Sequence, residues 1–173
     1  MSIPTLHTTT PLIRLGGVYV LFLGLAMLFA AFWPGADPLN PLLLISMSSI
    51  GFLAVFGLSR WLAYGQAPRW HYLVLAMAVI AEMILFLCLP LFNRTLTPDE
   101  MWRHMLVIIG IHFLPLGFIF GFKIVWLGLL IILNAFFSLT MPQLPFWFFA
   151  LVDGALKLFY GLILLFHRPA QTV

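Results

Sequence analysis

An all-α, polytopic membrane bundle of about six transmembrane helices is the fold this chain predicts, and three observations predict it. The composition is 64% hydrophobic and only 8% charged, with a mean hydropathy of +1.13, whereas soluble domains carry about 25% charged residues. Six apolar segments occupy approximately 12–33, 41–64, 70–92, 101–121, 123–141 and 145–166, each close to the ~20 residues that cross a hydrocarbon core ~30 Å thick. Turn-forming residues punctuate every junction. At 173 residues the chain has no room for a soluble domain beside six short-looped spans, so 1–173 reads as a single transmembrane domain.

The polar leader ends near Thr10, and the first apolar stretch lacks a convincing small-residue cleavage site, so it reads as a retained helix rather than a signal peptide. Trp33-Pro34-Gly35-Ala36-Asp37-Pro38 separates the first and second spans, and Tyr64-Gly65-Gln66-Ala67-Pro68-Arg69 the second and third. The next break runs from Asn93 to Glu100, where Thr97 is placed to cap the following helix and Glu100, three residues on, to complete a capping box. Gly121-Phe122-Lys123 is a very short connection, so the boundary between the fourth and fifth spans is the least defined by sequence. Met141-Pro142-Gln143-Leu144-Pro145 turns the chain into the last span. Trp33, Trp61, Trp70, Trp102, Trp126 and Trp147 fall near span ends, where an indole suits the membrane interface.

Eight Lys and Arg against five Asp and Glu give a net charge of +3, too sparse for a nucleic-acid surface but enough to set orientation. Arg14, Arg60, Arg69, Lys123 and Arg168 fall on the side of both termini; Arg94 and Arg103 fall on the other, with Asp37, Asp99 and Glu100. The positive-inside rule therefore predicts a plasma (inner) membrane protein with both termini cytoplasmic. Cys88 is the single cysteine, which excludes an internal disulfide and a CxxC pair.

Small residues recur at packing intervals: Gly17, Gly24 and Ala31 in the first span, Gly117 and Gly121 in the fourth, Gly154 and Gly161 in the sixth. They permit close backbone approach. Gly117-x-x-x-Gly121 is read as an intramolecular contact, with a homo-oligomer as the alternative.

The residues that carry function are those that do not belong in hydrocarbon. Glu82 lies near the middle of the third span, His112 near the middle of the fourth, and Asp153 and Lys157 one turn apart in the sixth. A charge at a helix centre costs about 2.5 to 3.5 kcal/mol even on translocon-based scales, so these groups are expected to face the bundle interior. Counting inward at about 1.5 Å per residue puts Glu82 and His112 at ~16 Å depth, Asp153 at ~12 Å and Lys157 at ~18 Å, compatible with one polar layer. Asp153 and Lys157, four apart, are expected to pair on one face; such a pair serves either helix register or a transport pathway. Glu82 has no partner in its own helix and is left with His112, Lys157 or protonation. Asn134 and Ser138, and Ser46 and Ser49, are candidate hydrogen-bonding groups beside the layer or simple interhelical glue.

His112 sits in Gly110-Ile111-His112-Phe113-Leu114-Pro115-Leu116. Pro115 has no backbone N–H, which frees a carbonyl near Ile111 and favours a kink. The run resembles a Gly-x-His-Phe-Leu-Pro-Leu signature of small bacterial multi-pass membrane proteins of undetermined function. The resemblance covers one helix, implies no activity, and marks His112 and Pro115 for attention.

No HExxH, GxSxG or GxxxxGK[ST] motif is present. His104 and His112 are eight residues apart, ~12 Å in rise, too far to share a metal, and no facing pair of histidines offers a haem site. His7, His71 and His167 lie near termini or interfaces and are expected to face solvent or headgroups. No metal or cofactor is expected, and the partners expected are the lipid bilayer and a proton or small polar solute. The leading functional expectation is a small carrier or channel-like protein with Glu82, His112, Asp153 and Lys157 as its midplane site. Two alternatives stand beside it: a membrane enzyme on a lipid or isoprenoid-like substrate with Glu82 and His112 as acid and base, and a noncatalytic assembly subunit.

Overall fold

The structure is a computed structural model, and it describes residues 10–32, 50, 51, 53, 69–92 and 95–167. Among the described residues the chain forms five long helices and no strand: α1 (Thr10–Phe32), α2 (Arg69–Phe92), α3 (Pro98–Phe120), α4 (Phe122–Thr140) and α5 (Phe146–Leu165). Four of them, α2 to α5, are long and apolar enough to cross a membrane. In α1 the apolar stretch runs Ile13–Phe29. Of the expected second span, 41–64, only residues 50, 51 and 53 are described, and they are helical. Ser46, Ser49, Trp33, Trp61 and the two loops that flank this span lie outside the described residues.

Helix α3 starts where local chemistry dictates. The Thr97 N–H donates to Glu100 Oε2 at 2.8 Å, and the Glu100 N–H donates back to Thr97 Oγ1 at 3.3 Å, a complete capping box with Pro98 in the first turn. Two orphan N–H groups are satisfied by this exchange. Pro98, which needs no donor there, lets the helix begin three residues before the apolar run. At the other end a single residue, Gly121, separates α3 from α4, and its φ of +88° is one that side-chain-bearing residues avoid. The Gly121 N–H closes α3 on Gly117 O at 2.9 Å, so the Gly117-x-x-x-Gly121 pair serves the turn and the α3–α4 contact within one chain. Gly117 itself lies against the Val125 side chain of α4.

Two antiparallel helix pairs make up most of the packing, α1 with α5 and α3 with α4. In the first, a Cβ built on Gly24 would lie 2.9 Å from Leu158 N and 3.0 Å from Gly154 O, and one on Gly161 would lie 2.8 Å from Leu21 N. In the second, Gly110 and Gly128 press backbone against backbone, each Cβ position lying about 3 Å from the other's carbonyl oxygen. In lipid no hydrophobic force draws helices together, so this close approach is itself what holds them. The pairs join where α4 meets α5, and α2 packs onto α3.

Trp102 departs from its expected place in an interfacial belt. It is 1% exposed and stacks on Phe146, ring centroids 5.9 Å apart. It lies one turn inside the capped start of α3, where the start of α5 covers it. Trp70, Trp126 and Trp147 are exposed near helix ends, as the belt reading requires.

Candidate functional site

The candidate site is built from one turn of α2, the middle of α3 and one stripe of α5. His112 Nδ1 lies 3.1 Å from Ala78 O and 3.3 Å from Glu82 Oε2. Residues 78 and 82 are four apart, so the imidazole reaches a carbonyl and a carboxylate stacked on one turn of α2. A carbonyl only accepts, so Nδ1 is the protonated nitrogen, and Nε2 is a bare acceptor whenever the ring is neutral. Nε2 is buried with no hydrogen-bond partner among the described residues. The His112 side chain is 4% exposed and that of Glu82 12%.

On α5, Lys157 Nζ contacts Asp153 Oδ2 at 2.5 Å, one turn away and almost wholly buried. The other carboxylate oxygen, Asp153 Oδ1, is buried and has no partner among the described residues. The buried residues of α5 form two adjacent stripes: Ala150, Gly154 and Gly161 on one, and Phe149, Asp153 and Lys157 on the other. Glycine in the first lets α1 approach, which leaves the charged stripe turned into the bundle.

Cross-helix contacts set the levels. Gly110 faces Gly128 and Ile132 across α3 and α4, and the Asn134 side-chain N–H donates to Phe149 O at 2.9 Å across α4 and α5. Stepping one turn inward from Phe149, at about 1.5 Å per residue, brings His112 between the levels of Asp153 and Lys157. The four ionisable residues singled out by sequence form two contacting pairs, His112 with Glu82 and Lys157 with Asp153, which this count of helical rise places at similar depth. Asn134 is not a member of that layer; it holds a backbone carbonyl and fixes the α4–α5 register. Pro115 lies within α3, which continues through it to Phe120; the break in backbone hydrogen bonding is confined to one missing donor, one turn from His112.

Two buried groups depart from the positions expected of them. Arg103, expected only as an outer-side orientation marker, is 4% exposed. Its guanidinium donates to Ser138 O, to Ser138 Oγ at 3.3 Å and to Leu144 O at 2.6 Å, with Asp99 at 3.8 Å and the Phe149 ring at 5.5 Å. A cue was present in the sequence: the topology brings the end of α4, with its orphan carbonyls, to the same side of the membrane as an arginine inside an apolar window. His71, expected to face solvent or headgroups, is 3% exposed, edge-on to Trp70, with its Nδ1 lacking a partner among the described residues. That burial depends on neighbours in space, and nothing local signals it. Among the described residues no group of three His, Cys, Asp or Glu is placed to hold a metal ion.

No curated protein and no solved structure matches this chain. One family model does, over residues 9–173, and the chain therefore belongs to the family of unknown function DUF6609.

Proposed function

We propose that this protein is a small carrier or channel-like protein of the plasma (inner) membrane, in which a midplane layer of Glu82, His112, Asp153 and Lys157 exchanges a proton in step with a small polar solute. The observation that carries the reading is the contact of His112 Nδ1 with Glu82 at 3.3 Å, in a bundle that also buries the Asp153–Lys157 ion pair. An isolated Asp153–Lys157 pair balances its own charge and would serve helix register. A second acid and a titratable imidazole beside it give the layer two ways of holding one proton, on the ring or on the carboxyl. Glu82 keeps the largest side-chain exposure of the four.

In proteoliposomes with an internal pH-sensitive dye, the wild type is expected to carry a pH-dependent proton flux. Glu82→Gln, which preserves shape and mimics the protonated acid, should keep the fold and reduce that flux to the level of empty vesicles. Wild-type flux in Glu82→Gln would remove Glu82 from the mechanism; the absence of flux from the wild type under any gradient would overturn the carrier reading.

The orientation proposed with it has both termini in the cytoplasm, on the distribution of Arg14, Arg60, Arg69, Lys123 and Arg168 against Arg94 and Arg103. In a Cys88→Ser background, cysteines introduced at 34–40 and 93–100 should react with an impermeant thiol reagent in intact cells, and cysteines at either terminus should not. The reverse labelling pattern inverts the topology, and labelling of only one terminus requires an odd number of spans.

A further inference from the structure

Among the described residues the layer brings together two carboxyl groups, one ammonium and one imidazole. With Lys157 charged and both acids ionised, it is electrically neutral only when one additional proton rests on the His112–Glu82 pair. Neutrality matters because an unbalanced charge at mid-span is costly. Removing that proton without replacing its charge leaves the layer at −1, so departure of the proton calls for the arrival of one positive charge.

The unpartnered atoms say what should carry it. Asp153 Oδ1 only accepts, its sister oxygen being held by Lys157. His112 Nε2 becomes an acceptor once the added proton has gone, because Nδ1–H is kept by Ala78 O. Both are buried side-chain atoms on helices that touch, and the helical-rise count puts them within about one turn of each other in depth. A buried acceptor without a donor has given up its hydration for nothing in return, so the deprotonated layer favours an occupant with several N–H donors. An anion fits poorly, since Asp153 Oδ1 repels it. No three metal-binding side chains converge among the described residues, which disfavours a coordinated metal ion. Among the described residues, the other helices that pack here bring no buried charge to this depth: α4 carries the neutral Asn134 one turn away, α1 carries Tyr19, and Arg14 lies exposed at the end of α1.

We infer that the layer binds a small protonated amine, its N–H groups donating to Asp153 Oδ1 and His112 Nε2, in exchange for the single proton held by His112 and Glu82. The inference rests on the reading of the layer as a proton-exchange site. Charge balances throughout: one ammonium enters, one proton leaves to water, and the layer stays neutral.

The test uses the purified full chain in detergent, weakly buffered near pH 7 with an indicator dye, titrated with methylammonium chloride against a protein-free blank. Methylammonium should raise the thermal midpoint and release close to one proton per chain at saturation. Tetramethylammonium, with the same charge and no N–H donor, should do neither, and Glu82→Gln should release no proton. Equal responses to methylammonium and tetramethylammonium, or no response to either, overturn the proposal. So does stabilisation by a neutral donor such as formamide with no effect of methylammonium. Proton flux in vesicles without any methylammonium response would leave the carrier reading standing and this inference wrong. One-for-one proton release without flux would do the reverse.

Discussion

Removing one member of the Asp153–Lys157 pair is expected to cost about 3 to 5 kcal/mol, because the survivor becomes an uncompensated charge in a low-dielectric interior. Asp153 is the more exacting partner. Its carboxylate is fully buried, and with Oδ1 lacking a partner among the described residues, Lys157→Met would leave neither oxygen with a donor from them. Asp153→Asn leaves the ammonium facing a neutral amide, still with an acceptor oxygen nearby, and should cost less of the two. The double variant, Asp153→Asn with Lys157→Met, contains no buried charge at this position and should be more stable than the sum of the single losses predicts. Thermal unfolding in detergent of all four species closes the cycle. Additive losses would mean that the 2.5 Å contact contributes nothing to stability. The cycle also separates the two roles weighed for this pair. A double variant that is stable yet lacks proton flux assigns the charges to the pathway, and one that keeps flux assigns them to helix register.

The features legible in the sequence are those decided within about one turn of a helix. Thr97 and Glu100 announce the start of α3 three residues apart, and Asp153 and Lys157 announce their own contact four apart, because both geometries are fixed by the 3.6-residue period. Gly121 was visible as a break but not as a one-residue turn; its positive φ, which only the structure supplies, makes so short a connection possible. His112 and Glu82 were identifiable as partners only by elimination and matching depth, since 30 residues separate them. What paired them was the packing of α2 on α3, and the added bond from His112 to Ala78 O could not be read at all, a backbone carbonyl having no sequence signature. Trp102 and His71 show the same limit from the other direction. Residue type and proximity to a span end pointed to the interface, but burial is decided by which helix lies across from them. Small residues were found by spacing, while their pairing of Gly17 and Gly24 with Gly161 and Gly154 required the antiparallel register of α1 and α5.

Replacing Arg103 is expected to be the most damaging single change outside the polar layer. The residue closes the end of the bundle where α4 turns into α5: it sits in the second turn of α3 and donates to Ser138 O in the last turn of α4 and to Leu144 O in the connection to α5. Those carbonyls lie where a helix ends or a turn begins and lack the intrahelical donors that satisfy others. The positive charge also opposes the negative end of the α4 dipole. Hydrogen bonds to a charged group contribute about 1.5 to 3 kcal/mol each, so Arg103→Met, which retains most of the apolar stem, should lose about 3 to 5 kcal/mol. Arg103→Lys should recover little of it, because a single ammonium on a narrower stem lacks the planar fork that reaches two carbonyls from opposite sides. The consequence extends to the polar layer. Phe149 lies under the guanidinium at 5.5 Å, its carbonyl is the one held by Asn134, and Asp153 follows one turn later. Losing Arg103 therefore loosens the anchor that fixes the depth of the Asp153–Lys157 pair relative to His112. The measurement is detergent thermal stability of Arg103→Met and Arg103→Lys, combined with cysteine crosslinking between introduced Ser138→Cys and Leu144→Cys as a report on the α4–α5 turn. Near-wild-type stability of Arg103→Lys would show that charge alone, and not the two-carbonyl bridge, holds this end of the bundle. Full stability of Arg103→Met would show that neither does.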